Sequence, residues 1–425
     1  MKRLWQRYRE YSIGTQIFIG MAIGAVVGFW MGPAAANLKP VGDIFIRLLI
    51  MSAIPLIFFT LMSGLTRIKE AGFVGRLTAR ILVYYVVTSV IALTVAIVVM
   101  DLIQPGNGFQ LKGEIKGEIA QVPSLTKVLV DIFPDNIMTA FSSGNVTQIV
   151  IFGVFLGIAT LFLSGPDRDR VGSFFELGQT LFLRLVAIII ALAPIGLGVL
   201  TAYSVGVYGS KIAGPLLKFI GAVYLAEIIM FVIVMILLYA VARVSPMFFL
   251  KQTYPLYFTT AGTTSSLASL AQALQIAEQK LYIPRSVCGF TLPLGVQFTK
   301  DGTCIFLVGI LLFAAQSQGH AIELGTAIII VLTGLLLATG SGGVPGGGLV
   351  VGLVFVKAFN LPIEIAALIG GIYHILDIGN TTLNVMNDMV ATVIVARLEG
   401  AIQVENGAII PATAPIVEAA TLSPS

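Results

Sequence analysis

The chain has 425 residues, of which 57% are hydrophobic and 11% charged, and its mean hydropathy is +0.97. Soluble domains carry about 25% charged residues, so this composition excludes a soluble globular protein and indicates an integral membrane protein. The net charge of +4 comes mostly from Lys and Arg in predicted loops, which indicates membrane topology rather than a nucleic-acid partner.

The first half of the chain contains a series of hydrophobic segments, each near or above the ~20 residues that cross a bilayer as a helix. They lie at about 12–33, 41–66, 81–104, 145–164, 173–203 and 212–242. These segments are long and continuous, unlike the short alternating strands of an outer-membrane barrel. The predicted fold class is therefore an all-α membrane protein.

The second half contains two hydrophobic segments that are interrupted by polar or glycine-rich residues. The segment 252–282 contains "TTAGTTSSLASL", and the segment 322–358 contains "SGGVPGGG". Their apolar arms are too short to cross alone, and such a pair indicates re-entrant hairpins that form a transporter binding site. Glycines that only allow close helix packing are the alternative, but they explain neither Pro345 nor the density of glycines around it.

The segments 285–316 and 363–398 complete a predicted total of eight transmembrane helices and two re-entrant hairpins. Lys and Arg are richer before the first segment and in alternate loops, so the positive-inside rule places the N-terminus in the cytoplasm. An even number of spans returns the C-terminus to the same side. The expected location is the cytoplasmic (inner) membrane.

The last predicted span reads "YHILDIGNTTLNVMNDMVATVIVARLEG", and its polar residues follow a helical spacing. Asp377, Asn380, Asn384 and Asp388 are separated by steps of three, four and four residues, so a helix presents them as one stripe. A carboxylate at the bilayer centre costs at least ~2.5 kcal/mol, and such residues usually face a cavity and pair with a cation. A fixed ion-pair network, with Lys300 as its cation, is the alternative.

Four motifs give the chain a likeness to one known family. They are "FPDNIMTAFSSGNVTQIVIFGVFLGIA", "TLPLG" followed by "KDGT", "SGGVPGGG" and "LDIGNTTLNVMND". With the order of elements, they resemble the glutamate transporter homologues, the dicarboxylate/amino acid:cation symporters. The resemblance implies a homotrimer that works as an elevator, with a fixed scaffold at about 12–70 and 125–205 and a moving transport part at about 80–105 and 210–400.

The resemblance also assigns roles to residues. The implied substrate-binding residues are Ser265, Ser266, Gly343, Val344, Asp377, Asn380, Thr381 and Asn384. Among them, Asp377 matches the aspartate that holds the substrate's amino group, Asn384 matches the asparagine that binds its carboxylate, and the tip containing Gly343 acts as a gate. Two of the implied sodium sites comprise Asp388 with Asn384, and Tyr85, Thr88 and Ser89 with Asp301, and a third is built mainly from backbone carbonyls around residues 338 to 341.

The seventh-span motif departs from the family pattern. Sodium-coupled members have Asn-Met-Asp where this chain has Thr299-Lys300-Asp301. Two unit charges ~4 Å apart interact by ~4 kcal/mol at an effective dielectric constant of 20, so an ammonium there repels sodium. Lys300 is therefore predicted to be a tethered cation or a proton carrier that alters or reduces sodium coupling, with ordinary sodium coupling as the alternative.

A second departure concerns the substrate. Members that select acidic amino acids have an arginine at the position of Asn380, and without its bidentate fork a second substrate carboxylate lacks a strong partner. The favoured prediction is a transporter of a neutral polar amino acid. The alternatives are an ordinary sodium- or proton-coupled symporter of acidic amino acids or dicarboxylates, and an ion channel. Neither an enzyme nor a cofactor other than the coupling Na⁺ or H⁺ is expected.

Overall fold

The computed structural model describes residues 13–66, 73–109, 130, 133–143, 146–209, 213–319, 323–341, 346–359 and 361–410. Almost all of them are helical. The helices of the first half are α1 Ile13–Met31, α2 Lys39–Thr66, α3 Phe73–Ile103, α4 Ile137–Ser143, α5 Val146–Thr160, α6 Gly165–Ile190, α7 Ala193–Tyr208 and α8 Ala213–Leu237. Those of the second half are α9 Pro246–Thr263, α10 Ser266–Gln279, α11 Arg285–Phe298, α12 Asp301–Ser317, α13 Leu324–Ala338, α14 Gly347–Ala358, α15 Ile363–Gly370 and α16 Tyr373–Leu398.

Short elements join or follow these helices. A 3₁₀ turn at Gly32–Leu38 links α1 to α2, and a π-helical turn at Leu238–Ala242 extends α8. After α16, β1 Gln403–Glu405 pairs antiparallel with β2 Ala408–Ile410. The all-α class is confirmed, with this small hairpin as an addition.

Several of the described stretches are long and apolar enough to cross a membrane. They are Thr15–Thr66, Arg76–Ile103, Gly165–Ile190, Ala213–Ala242 and Arg285–Ser317. The first is 52 residues long, more than twice what one crossing needs, and the 3₁₀ turn divides it as the sequence predicts. The chain is a multi-pass membrane protein, and the total of eight spans stays a prediction.

Three predicted spans are interrupted in the structure. The segment 173–203 is divided between α6 and α7, where Pro194 in the first turn of α7 has no backbone N–H to continue the helix. The segment 285–316 is divided at Thr299 and Lys300, and the segment 363–398 is divided at Gly371. Hydropathy detects the apolar run in each case but not the backbone turn within it.

The helices α1 and α7 approach until their backbones touch. A side chain at Gly20, Gly24 or Gly28 would overlap the backbone of α7 at Pro194, Gly198 and Ala202 respectively. Small residues at four-residue spacing permit this contact, as in other membrane helix pairs. Because α2 also packs against α6 and α7, these helices form one closely packed group.

The second half packs around α16. This helix contacts α3, α8, α9, α10, α11 and α12. Of the apolar part of Arg285–Ser317, 94% is buried inside the protein, so α11 and α12 face other helices rather than lipid. The fold therefore encloses the polar stripe of α16.

Candidate functional site

The first helix break lies between α9 and α10. Thr264 adopts a left-handed conformation with φ 45°, and the Ser265 hydroxyl caps α10 by accepting from the Ala268 N–H at 3.2 Å. Ser265 and Ser266 are both buried. The Thr260 hydroxyl hydrogen-bonds with that of Thr382 at 3.0 Å, which joins α9 to α16. The predicted polar tip is thus held against the helix that carries the stripe.

The second break separates α13 from α14, and Gly346, at its end, contacts Asp377. The Gly346 N–H donates to Asp377 Oδ2 at 3.1 Å, and the Tyr373 hydroxyl donates to Oδ1 at 2.9 Å. The Thr381 hydroxyl also faces Oδ1, at 3.4 Å. Gly346 has φ 78°, a conformation that favours glycine. The predicted residues Gly343 and Val344 fall outside the described residues.

Asp377 also lines a small cavity between the two halves of the chain, with a volume of about 20 Å³. Gly346, Tyr373 and His374 lie beside it, and the remaining wall is apolar. That wall comes from α1, α2, α6, α7 and α14. The Asp377 carboxylate thus lies at the edge of a small, mostly apolar cavity.

The third break carries Lys300 and Asp301. Lys300 is 1% exposed, and its Nζ donates to the Val296 carbonyl at 2.7 Å. Among the described residues, no carboxylate forms a direct ion pair with it. A side chain at Gly302 would overlap the backbone of Asn380, so α12 begins in close contact with α16.

Asp301 is bound by neutral donors. The Ser89 hydroxyl donates to Oδ1 at 2.9 Å, and the Thr88 hydroxyl faces the same oxygen at 3.4 Å. Asn387 Nδ2 donates to Oδ2, and Asn387 Oδ1 accepts from the Tyr84 hydroxyl at 2.6 Å. The structure thus brings Thr88, Ser89 and Asp301 together as predicted. It adds Asn387, which continues the polar stripe three residues after Asn384.

Tyr85 lies with Asp388 rather than with Asp301. The oxygens of Tyr85, Thr299 and Asp388 face one another, yet Tyr85 OH, Thr299 Oγ1 and Asp388 Oδ1 have no well-formed hydrogen bond within the described structure. A side chain at Gly295 would meet both Tyr85 OH and Asp388 Oδ1. Converging hydroxyl and carboxylate oxygens suit a hard cation, so the donor set fits the ion site that the resemblance implies at Asp388, with Tyr85 joining it instead of the site at Asp301.

Asn384 and Asn380 join α16 to its neighbours. Asn384 Oδ1 accepts from the Gly302 N–H at 2.8 Å, and its Nδ2 donates to the Thr303 hydroxyl at 3.3 Å. With its amide oriented by the surrounding acceptors, Asn380 donates to Glu227 Oε1 at 2.7 Å and to the Gly302 carbonyl at 2.9 Å. Glu227 was missed from the sequence, although a carboxylate inside the apolar run 212–242 is itself a signal.

Comparisons with known proteins agree on one family. The model of the sodium:dicarboxylate symporter family matches residues 13–398. The chain is 28% identical over 396 residues to a proton/glutamate-aspartate symporter of Bacillus subtilis, covering 92% of this chain and 95% of the relative. It is 30% identical over 408 residues to a C4-dicarboxylate transport protein of Sinorhizobium fredii, covering 92% and 80%. It is 31% identical over 394 residues to one from Paraburkholderia phymatum, covering 91% and 92%.

These comparisons indicate a transporter rather than an enzyme. They do not support the favoured prediction of a neutral substrate, because the relatives' names specify acidic substrates. They also do not support sodium coupling altered by Lys300, because the matching family is described as sodium symporters. The alternative, a cation-coupled symporter of acidic amino acids or dicarboxylates, fits better. With a family match over nearly its whole length, the chain belongs to the sodium:dicarboxylate symporter family.

Proposed function

We propose that the protein is a symporter that moves a small dicarboxylate or an acidic amino acid across the membrane together with Na⁺ or H⁺. The observation that carries the proposal is the buried stripe of Asp377, Asn380, Asn384 and Asp388 on α16, enclosed by helix breaks in a chain of this family. Polar backbone inside a membrane protein is tolerated where it lines a cavity or is covered by protein. That is where transporters of this kind bind their cargo.

The charge balance of the site supports coupling to cations. Glu227, Asp301, Asp377 and Asp388 are at most 5% exposed. Of the two buried cations in the described part of the chain, Lys300 adjoins Asp301, whereas Arg168 lies on α6. An acidic substrate adds further negative charge, and each uncompensated buried charge costs several kcal/mol. Cations that enter with the substrate offset this cost, which favours symport over transport of the substrate alone.

Asp377 and Lys300 divide the recognition of an acidic amino acid between them. Asp377 accepts the substrate's ammonium group, as the resemblance implies. An ammonium group carries three donors, and Lys300 Nζ gives one of them to the Val296 carbonyl. Its other donors bind the substrate's second carboxylate, which has no arginine partner here because residue 380 is Asn. A substrate with both an amine and two carboxylates uses every one of these groups, so we favour an acidic amino acid over a plain dicarboxylate.

The coupling cation binds beside Asp388. The support is the set of facing oxygens of Tyr85, Thr299 and Asp388, which includes one carboxylate oxygen without a well-formed hydrogen bond in the described structure. Asp301 is a weaker cation ligand, because Ser89 and Asn387 already donate to both of its oxygens. The remaining predicted contacts, Ser265, Ser266, Gly343, Val344, Thr381 and Asn384, stay assigned to the substrate.

The architecture of the family extends the proposal. The close backbone contact of α1 with α7 suits a rigid scaffold at about 12–70 and 125–205. The helices around α16 suit a transport part at about 80–105 and 210–400 that moves as a unit. We propose a homotrimeric elevator with eight spans and two re-entrant hairpins in the cytoplasmic membrane, with both termini in the cytoplasm.

Uptake into proteoliposomes tests the function. The purified protein is reconstituted and given labelled aspartate, glutamate, succinate, serine or alanine, under an inward Na⁺ gradient, with choline, or under an imposed pH gradient. We expect saturable accumulation of the acidic substrates in at least one cation gradient. Asp377→Asn is expected to abolish aspartate uptake, and the exposed Asp101→Asn serves as the matched control.

Two results would contradict the proposal. Accumulation of serine or alanine without aspartate, glutamate or succinate would restore the neutral-substrate prediction. Acidic uptake that only equilibrates under every gradient would exclude symport and indicate that Lys300 replaces the coupling cation.

A further inference from the structure

Glu227 is a buried carboxylate that the proposed function does not yet use. It lies in the middle of α8 and is 5% exposed. On the same helix Val223, Ala226 and Met230 are completely buried. A carboxylate at such a depth costs at least ~2.5 kcal/mol when ionised, so its presence requires a functional or structural reason.

The structure places this carboxylate against the substrate stripe. Glu227 Oε1 lies 2.7 Å from the side-chain amide of Asn380. A side chain at Gly379 would overlap the Glu227 carboxylate, so the glycine allows α8 to approach α16 at this level. The Tyr224 hydroxyl, one turn before Glu227, donates to the Ile375 carbonyl at 2.6 Å. Glu227 is therefore held at a fixed height beside Asn380 and Asp377.

The charged surroundings of Glu227 do not compensate it. From α16, the charged residue that acts on it is Asp377, which has the same sign. On its own helix the neighbouring titratable group is Tyr224, a neutral phenol. From the other helices packed against α8, which are α3 and α12, the described residues bring no cation into an ion pair with Glu227. Its direct partner is the neutral amide of Asn380.

An acidic substrate would increase the uncompensated negative charge around Glu227. The proposed site brings two substrate carboxylates next to a stripe where Glu227 and Asp377 are already close, and like charges at short range in a low dielectric repel by several kcal/mol. Asp377 has the substrate's ammonium as a partner, whereas Glu227 has no cationic partner among the described residues. Adding a proton to Glu227 removes the repulsion without any other cation.

We propose that Glu227 is the proton-binding residue that couples the transport of an acidic substrate to protons. This rests on the proposed function and adds a proton site at Glu227 to the cation site proposed beside Asp388. Glu227 carries a proton when the substrate-loaded site crosses the membrane and releases it on the side of lower proton concentration.

The contact with Asn380 tolerates both protonation states of Glu227. Asn380 Nδ2 donates to Glu227 Oε1 and also to the Gly302 carbonyl. A protonated carboxyl group keeps an oxygen that accepts a hydrogen bond, so the amide retains both bonds. A proton on Glu227 thus removes a negative charge beside the substrate stripe without breaking this contact.

The test compares the full-length protein with Glu227→Gln in proteoliposomes, using labelled aspartate. An inside-alkaline gradient of one pH unit drives about tenfold accumulation per coupled proton. We expect the wild type to show this accumulation, and Glu227→Gln to keep exchange of internal for external aspartate but to only equilibrate under the gradient. The matched control is Glu176→Gln on the exposed surface of α6, which should accumulate as the wild type does.

A second measurement avoids reliance on the glutamine variant. Aspartate is added to the detergent-solubilised wild-type protein in weakly buffered solution with a pH indicator, and proton uptake on binding is expected. Glu227→Asp, which keeps a titratable carboxyl farther from Asn380, should keep the proton uptake with a shifted pH midpoint.

The outcomes separate the two proposals. Proton-driven accumulation by Glu227→Gln, or the absence of proton uptake when wild type binds aspartate, overturns the role of Glu227. Aspartate uptake driven by Na⁺ and unchanged in Glu227→Gln overturns it as well, while the proposed function stands. A wild-type protein that transports none of the acidic substrates overturns the proposed function, and the role of Glu227 fails with it.

Discussion

Replacing Asn387 by alanine tests whether the network around Asp301 holds the centre of the protein together. Asn387 is completely buried, and its amide donates to Asp301 Oδ2 and to the Thr88 hydroxyl at 3.2 Å. Its oxygen accepts from the Tyr84 hydroxyl. The substitution leaves Asp301 Oδ2 and the Tyr84 hydroxyl without these partners. Each unsatisfied buried polar group costs ~1–3 kcal/mol, and a charged one costs more, so we expect unfolding free energy to fall by about 2–6 kcal/mol.

The assay is unfolding of the detergent-solubilised protein, followed by circular dichroism during heating and during titration with a denaturing detergent. The control is Asn107→Ala, because Asn107 is exposed and its amide bonds to the exposed Gln104. Surface substitutions usually change stability by at most ~0.5 kcal/mol. A loss for Asn387→Ala that is no larger than the control's would refute the view that this amide satisfies Asp301.

Two further substitutions probe the ion site and the first helix break. Gly295→Ala puts a methyl group against the Tyr85 hydroxyl and the Asp388 carboxylate, and should weaken activation of substrate binding by the coupling cation at least about tenfold. Gly289→Ala is the control, because a methyl group there meets only ordinary contacts, and its cation activation should match that of the wild type. Equal cation titrations of the two variants would contradict a cation site beside Asp388. Ser265→Ala removes the cap of α10 and should lower stability by about 1 kcal/mol, whereas Ser265→Asn keeps a capping side chain and should melt near the wild type.

Most of the helical architecture could be predicted because long apolar runs have few alternatives in a membrane. The breaks inside those runs were harder to place. At Pro194 and at Thr299 the sequence stays hydrophobic on both sides, so hydropathy does not register the missing backbone hydrogen bonds. Pro194 alone could have indicated the first of these breaks. The second depends on the contact of Gly302 with the backbone of Asn380, which is a tertiary feature.

The stripe on α16 was predictable because helical periodicity puts its residues on one face. The pairing of side chains across helices was not. Lys300 and Asp301 are neighbours in sequence, but at the start of a helix their side chains take different directions, and Lys300 reaches back to Val296 while Asp301 reaches Ser89. Glu227 escaped notice because no second charged residue lies at helical spacing from it in its own segment, and its partner Asn380 is distant in sequence.

The Gly346 N–H at the second break and the substrate's ammonium group both donate to the Asp377 carboxylate, so they compete for it. Asp377 already accepts from Gly346 and Tyr373, with Thr381 beside them, and a carboxylate has about four acceptor positions. An arriving ammonium group brings three donors, so it competes with the Gly346 N–H for these positions. A plain dicarboxylate has no such donors and leaves that bond intact. Loss of the hydrogen bond from Gly346 to Asp377 therefore reports the binding of an amine. A reporter attached near Gly346 would distinguish amino acids from dicarboxylates before any of them is transported.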